Sequence, residues 1–187
     1  MKLVSILGSV TPPGRMRAAL RCTVEVDGVD GELIDLADHR VAFADGRPPE
    51  ALGDDTAKIV AAVRAADAVI LASPVYRGSF TGSLKNLLDH LPVESLAGKP
   101  VGIVAMGATQ HHHLGVDWHL RDVLAWFGAL VAPTSVYLAS ADFENGVPVE
   151  SAQRDLASLT HALVALAKVA PPAGTFLGPR PLAAKRS

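Results

Sequence analysis

Residues 68–91 constrain the fold most, because they contain a strand, a loop and a helix in succession. The apolar run 68–72 predicts a buried strand, and Pro74 ends it, since proline donates no N–H and has a fixed φ. The loop that follows carries an aromatic ring, an arginine and several hydroxyls, and is longer than most strand-to-helix turns. Its position at the carboxyl end of a strand is where ligands bind in open α/β sheets. Apolar residues at helical spacing then predict a helix with one buried face: Leu84, Leu87, Leu88 and Leu91.

The rest of the chain repeats this alternation of strand and helix. The predicted strands cover residues 2–7, 29–36, 68–72, 100–106 and 129–138. The predicted helices cover residues 15–22, 56–66, 84–91, 114–128 and 151–170. Strands that alternate with helices indicate a parallel sheet with helices on both faces. Pro133 interrupts the last strand, which an edge position tolerates.

Composition predicts one globular domain. The 187 residues are 49% hydrophobic and 19% charged, and the net charge of −2 favours no nucleic-acid partner. No apolar run approaches the roughly 20 residues of a membrane-spanning helix, so we expect no membrane association. Cys22 is the only cysteine, which is typical of a cytoplasmic protein. We expect residues 1–170 to form the domain and the Pro/Gly-rich residues 171–187 a C-terminal tail, disordered or laid on a neighbouring subunit.

The loop after the first strand, residues 8–17, has the features of an anion site. A helix that begins near Arg15 would present backbone N–H groups and a favourable dipole. Ser9 adds a hydroxyl, while Arg15 and Arg17 add positive charge. The loop is neither a Walker A loop nor a dinucleotide fingerprint. A solvated turn is the alternative that this loop alone leaves open.

The loop after the fourth strand begins with small residues and continues with three histidines. Gly107 and Ala108 would let a flat ring approach the backbone. The histidines at 111–113 suggest a metal at first sight. However, consecutive residues cannot all face one ion, and no carboxylate or cysteine stands at ligand spacing beside them. We therefore expect no metal site.

These loops follow the first, third and fourth strands, which are adjacent in a parallel sheet of order 2-1-3-4-5. They would converge on one crevice. The first loop offers a phosphate cradle, the second offers backbone amides with Tyr76 and Arg77, and the third offers a flat approach. A phosphate at one end and a planar heterocycle at the other describe FMN.

The motifs resemble the NAD(P)H-dependent FMN reductase family over about residues 1–170. The resemblance rests on Gly8, Ser9 and Arg15, on the run 73–89 and on residues 107–109. It is strongest to the reductase components of two-component alkanesulfonate monooxygenase systems. It implies an α/β fold, the flavodoxin-like three-layer sandwich with a five-stranded parallel sheet of order 2-1-3-4-5.

The resemblance also implies an activity and a site. The enzyme would transfer hydride from NADPH or NADH to FMN, supply reduced flavin to a partner monooxygenase, and form a homodimer or homotetramer. No catalytic side chain is expected, because the flavin carries the chemistry. The implied cofactor-binding residues are Ser9, Arg15, Met16, Arg17, Pro74, Val75, Tyr76, Arg77, Gly107, Ala108, Thr109 and Gln110.

Further expectations come with the resemblance. Trp118 stands where several family members carry an inserted residue, which predicts a π-helical bulge. Met16 and Arg17 replace serines usual in the family, so charge and backbone would hold more of the phosphate. Lys85 and Asp89 would form ion pairs between subunits or stay solvated. Two other functions stay open: a quinone or azo-type reductase with tightly bound FMN, and a flavodoxin-like electron carrier or flavin-binding regulatory module without enzymatic activity.

Overall fold

The structure, a computed structural model, describes residues 1–11 and 14–181. Its main sheet is parallel, with the order β2-β1-β3-β4-β5 and with β6 also paired to β4. The predicted strand order 2-1-3-4-5 is confirmed. The strands are β1 (Lys2–Leu7), β2 (Asp30–Asp35), β3 (Ala68–Pro74), β4 (Pro100–Met106), β5 (Leu130–Val131) and β6 (Val136–Leu138).

The fifth position of the sheet is divided between two short strands. β5 pairs with the start of β4, at Pro100 and Val101, and β6 pairs with its end, from Val104 to Met106. Pro133 lies between the two strands and cannot donate a ladder hydrogen bond, which explains the break. The predicted edge strand is therefore present in two pieces.

In the described residues, five α-helices cover the two faces of the sheet. In β1, Leu3 and Leu7 point toward the helices of one face, while Val4 and Ile6 point toward those of the other. This alternation follows from the two-residue period of a strand, and burial on both faces explains the continuous apolar run. The helices are α1 (Arg15–Val24), α2 (Thr56–Ala65), α3 (Gly82–His90), α4 (Gly115–Phe127) and α5 (Glu150–Ala167). α1 and α5 pack on one face, and α2, α3 and α4 pack on the other.

A small hairpin that the sequence analysis did not predict precedes α5. It consists of β7 (Phe143–Glu144) and β8 (Val147–Pro148), paired antiparallel. Asn145 and Gly146 form its turn with φ values of 50° and 81°. An Asn-Gly pair with two positive φ values is typical of a type I′ turn, so this dipeptide was a usable signal.

α4 is regular where a π-helical bulge was expected. The amide of Trp118 donates to the carbonyl of Leu114 over 2.9 Å, which is the α-helical pattern, and Gly115–Phe127 is α-helical throughout. The prediction of a bulge at Trp118 is therefore wrong for this chain. Because the Trp118 amide already donates to the carbonyl four residues earlier, it does not form the bond to the carbonyl five residues earlier that defines a π-helix.

The described part of the C-terminal tail lies on its own chain. A Cβ added at Gly98 would stand 2.4 Å from the Pro171 ring, and one at Gly128 would stand 2.9 Å from the Phe176 ring. That residues 1–170 form the domain and residues 171–187 a C-terminal tail stays a prediction, and residues 182–187 lie outside the described part. Within residues 1–11 and 14–181, no helix combines the length and the apolar character needed to cross a bilayer.

Candidate functional site

The loops that follow β1, β3 and β4 are tied together at the carboxyl edge of the sheet. The Gly8 amide donates to the Ala72 carbonyl over 2.8 Å, and the Val75 amide donates to the Met106 carbonyl over 2.8 Å. The Thr81 hydroxyl caps α3 and also donates to the Gly8 carbonyl. These bonds make the three loops the walls of one crevice, as their strand positions predicted.

A small cavity of about 80 Å³ lies where the first loop meets the end of β3. A water molecule takes about 30 Å³ of liquid volume, so this space suits a group of a few atoms rather than a whole flavin ring. The residues around it include Ser9, Thr11, Gly14, Arg15, Met16 and Pro74.

The first turn of α1 borders this cavity. Gly14 precedes the helix in an extended conformation and offers no side-chain cap. The amides of Arg17 and Ala18 both donate to the Gly14 carbonyl, over 3.0 and 3.3 Å. The amides of Arg15 and Met16 donate to no acceptor in the described residues. Free N–H groups at a helix N-terminus attract anions, so this turn can hold a phosphate.

Ser9 stands beside these amides. Its residue is only 5% exposed, and its hydroxyl is 2.8 Å from that of Thr11. Either hydroxyl can be the donor in this bond. When Thr11 donates to Ser9, the Ser9 hydroxyl keeps its own hydrogen and can donate it to a phosphate oxygen. The structure therefore leaves Ser9 among the candidate phosphate ligands.

The two arginines of the first loop point to different places. The Arg15 guanidinium carbon lies 5.4 Å from the centre of the Phe143 ring, and Arg15 also borders the cavity. Arg17 instead binds Asp35 over 2.6 Å and Asp38 over 2.5 Å. Burial alone would lower the pKa of Arg17, but its hydrogen bonds to both carboxylates, and their charges, raise it.

These contacts bear on two predicted site residues, Arg17 and Met16. The Arg17 guanidinium is committed to carboxylates beyond the end of the first loop, so it does not belong to the phosphate cradle. The Met16 side chain is buried between α1 and the sheet, with 5% of the residue exposed, so only its amide faces the cradle. Arg15 is left as the arginine that borders the cavity.

The middle loop forms a tight reverse turn. Tyr76 and Ser79 exchange amide-to-carbonyl bonds of 2.8 and 3.0 Å, while Arg77 and Gly78 have φ values of 51° and 76°. Because the Val75 and Tyr76 amides are already bonded and Pro74 has none, only the Arg77 amide of the predicted run 74–77 is free among the described contacts. Of the amides that were expected to bind the ring, only that of Arg77 has no acceptor among the described residues.

The start of α4 supports this turn, a role that sequence reasoning missed. A Cβ added at Gly115 would stand 2.5 Å from the Gly78 carbonyl oxygen, so a side chain there would push the turn away. The Nδ1 atom of His119 lies 2.8 Å from the Ser79 hydroxyl. Tyr76 itself is 50% exposed at the edge of the crevice. No local sequence signal marks either contact, because each joins residues about 40 positions apart.

Tyr137 on β6 holds the third loop. Its hydroxyl donates to the Thr109 carbonyl over 2.5 Å, and its ring packs edge-to-face against His113. A Cβ added at Gly107 would stand 2.0 Å from that hydroxyl. Burial raises the pKa of Tyr137, so it stays a neutral donor at physiological pH. A side chain at position 107 would therefore displace the Tyr137 hydroxyl, and the predicted approach of a flat ring to Gly107 stays a prediction. Ala108 and Gln110 lie in the same loop, beside Thr109.

The three adjacent histidines of this loop lie at the surface. His111, His112 and His113 are exposed. In the part of the chain that the structure describes, no three His, Cys, Asp or Glu side chains are placed to share an ion. The crevice thus has an anion cradle at one end and backbone and aromatic walls at the other, which fits the phosphate and the planar ring of FMN.

Larger cavities lie away from this edge. A groove of about 490 Å³ separates α3 from α4, with apolar walls that include Leu88, Val123 and Trp126. Another, of about 360 Å³, lies at the opposite edge of the sheet beside Lys99. Burial lowers the pKa of Lys99 to about 8, and its Nζ donates to the Val63 and Arg64 carbonyls over 2.6 and 3.1 Å. Lys99 therefore caps the end of α2, which is a structural role.

Comparison with known proteins places this edge in a family context. The family described as NADPH-dependent FMN reductase matches residues 1–144. An NAD(P)H-dependent FAD/FMN reductase of Geobacillus thermodenitrificans is 36% identical over 149 residues, which cover 78% of this chain and 80% of the relative. An NADPH azoreductase of Bacillus sp. strain OY1-2 is 30% identical over 153 residues, covering 82% and 85% of the two chains. The crystal structure of the apo NADH:FMN oxidoreductase EMOB superposes with a TM-score of 0.71 at 27% identity, covering 96% of this chain and 97% of that one.

Proposed function

The chain belongs to the NADPH-dependent FMN reductase family, and on this premise we propose that it reduces FMN with NADPH or NADH in the crevice at the carboxyl edge of the sheet. The observation that carries the proposal is the pair of amides at Arg15 and Met16, which donate to no acceptor among the described residues and lie in residues that border the cavity of about 80 Å³. They offer an anion site where a parallel sheet binds its ligand. Bound FMN accepts the hydride, so the protein need only bind and orient the two nucleotides.

Each wall of the crevice has a role in this proposal. The amides of Arg15 and Met16, the Ser9 hydroxyl and the Arg15 guanidinium hold the phosphate. Backbone groups of residues 74–77 border the ring, and Tyr76 covers it from the mouth of the crevice. Residues 107–110 flank the other side. None of these groups moves a proton in the hydride step, which agrees with the lack of a neighbouring acid–base pair among them.

The activity has a direct test. The purified protein, mixed with NADPH and free FMN, is expected to oxidise NADPH at a rate that rises with FMN concentration and then saturates. The decay of nicotinamide absorbance measures it. The same assay with NADH settles the nucleotide preference, because neither nucleotide leaves a motif in the sequence. No flavin-dependent oxidation of either nucleotide would refute the reductase function.

One observation favours a second candidate function, in which the electrons pass from FMN to another acceptor. This observation is the similarity to the Bacillus azoreductase. An enzyme of that kind would keep FMN tightly bound and pass electrons to an azo dye or a quinone. A protein that is yellow as purified, with ping-pong kinetics on these acceptors, would support it. A colourless protein that needs added FMN supports release of the flavin instead. Flavin binding without any nicotinamide oxidation would identify an electron carrier or a regulatory module.

We also propose that the protein works as a homodimer or homotetramer. Trp118 and Trp126 are 65% and 60% exposed, and Trp126 borders the apolar groove between α3 and α4. Large exposed apolar surfaces mark association sites. Lys85 and Asp89 pair with each other over 2.6 Å within the chain, so they frame this groove as a neutral pair. A monomer in sedimentation velocity at micromolar concentration would contradict this assembly.

A partner monooxygenase belongs to the same proposal. If reduced FMN leaves the crevice, a flavin-dependent monooxygenase is the natural consumer, and the single cysteine is in keeping with work in the cytoplasm. Oxygenation that depends on this protein plus NAD(P)H, in an assay with a flavin-dependent monooxygenase, is the expected result. Retention of reduced FMN through repeated turnover would contradict the transfer.

A further inference from the structure

We propose that Phe143 is a positioning residue for phosphate recognition, because its ring holds the guanidinium of Arg15, a residue that borders the cradle. The inference rests on the proposed function and extends it to a residue outside the three loops. The guanidinium carbon lies 5.4 Å from the centre of the ring, within the range of a cation–π contact. Phe143 is only 9% exposed, whereas Arg15 is exposed.

The ring is fixed independently of Arg15. Phe143 pairs with Pro148 in the β7–β8 hairpin, whose turn is the Asn-Gly pair. The chain on both sides is anchored: the Val149 amide donates to the Asp142 carbonyl over 2.9 Å, and the Gln153 side chain donates to the Pro148 carbonyl over 2.7 Å. The aromatic face is therefore present before the arginine settles on it.

Arg15 has no competing partner among the described residues, since it forms no ion pair with any of their carboxylates. The contrast with Arg17, which binds two carboxylates, shows why this matters. An aromatic face holds a guanidinium without neutralising its charge, so the charge stays available to an incoming phosphate. A free arginine would lose much of its side-chain freedom on binding, and the ring reduces that loss.

The experiment compares FMN with riboflavin, which lacks the phosphate. Phe143→Leu keeps an apolar side chain in the hairpin, although a smaller one, and removes the π face. We expect it to raise the FMN dissociation constant about two- to fivefold, the size of an exposed cation–π contact, and to leave that of riboflavin unchanged. Phe143→Tyr keeps the face and should retain wild-type FMN affinity. Val147→Ala, on the exposed strand of the same hairpin, is the matched control.

A double-mutant cycle separates positioning from structure. In an Arg15→Ala background, Phe143→Leu should cause no further loss of FMN affinity, because the group it positions is gone. Equal weakening of FMN and riboflavin, or full additivity with Arg15→Ala, would overturn the proposal. If Phe143→Leu has no effect while Arg15→Ala weakens FMN binding, only this inference fails. If Arg15→Ala also has no effect, the proposed phosphate site fails with it.

Discussion

Replacing Arg15 with alanine is expected to raise the FMN dissociation constant about tenfold and to leave that of riboflavin unchanged. A charge-assisted hydrogen bond to phosphate is worth roughly 1.4 kcal/mol or more, which is a factor of about ten. Arg15 borders the small cavity at the start of α1 and forms no ion pair with any described carboxylate. Quenching of flavin fluorescence on titration with protein measures both constants.

Arg21 provides the matched control for this variant. It lies in the last turn of the same helix, away from the cavity, so Arg21→Ala changes the net charge by the same amount. We expect it to leave the ratio of the FMN and riboflavin constants at the wild-type value. If Arg17→Ala weakened FMN binding selectively while Arg15→Ala did not, the assignment of the two arginines would be reversed.

Gly8→Ala is expected to cost about 2 kcal/mol of unfolding free energy and to weaken FMN binding as well. The added Cβ would stand 2.5 Å from the Leu84 Cβ, and Leu84 is fully buried in α3. Neither side can give way easily, because the Gly8 amide is bonded to Ala72 and its carbonyl accepts from Thr81. At this chain length, the loss corresponds to a fall in Tm of about 6 °C. Thermal unfolding and the FMN titration measure the two effects.

Gly82→Ala is the control for the glycine variant. A Cβ at Gly82 would meet no atom within 4 Å, and the residue opens α3. Alanine should therefore be neutral or slightly stabilising there, through helix propensity and a less flexible unfolded chain. Wild-type Tm and wild-type FMN affinity in Gly8→Ala would show that the first loop is not held against α3 in the way that the structure indicates.

The sheet could be predicted because its signals are local. The apolar runs of β1, β3 and β4 are long enough for strands buried on both faces, and the crossover rules restrict their order. Pro133 also predicted the interruption of the edge strand. The Asn145–Gly146 turn carried an equally local signal, so the β7–β8 hairpin, and with it Phe143, was within reach of the sequence.

The site was less predictable because it depends on distant pairings. Whether an arginine of the first loop can bind a phosphate or instead binds a carboxylate depends on how α1 packs against the end of β2. There Asp35 forms an ion pair with Arg17. One clue existed, since residues two apart on a helix point to different sides, so Arg15 and Arg17 could not both face one ligand. Nothing local shows that the Tyr137 hydroxyl packs against Gly107, because the contact joins residues 30 positions apart.

The resemblance to the family predicted the fold and the activity better than it predicted local structural details. It agreed with the fold and with the convergence of the three loops, but it also led to the π-bulge at Trp118, which the regular hydrogen bonding of α4 contradicts. Helix distortions depend on how one inserted residue is accommodated by its neighbours. Such features differ among proteins that share a catalytic crevice, so they cannot be transferred by similarity alone.

A crystal structure of the protein soaked with FMN tests the central claim most directly. The account predicts phosphate oxygens about 2.9 Å from the amide nitrogens of Arg15 and Met16, with the ring between residues 74–77 and 107–110. The Arg15 guanidinium should lie between the phosphate and the Phe143 ring. A flavin in the groove between α3 and α4, or a phosphate bound by Arg17, would contradict it.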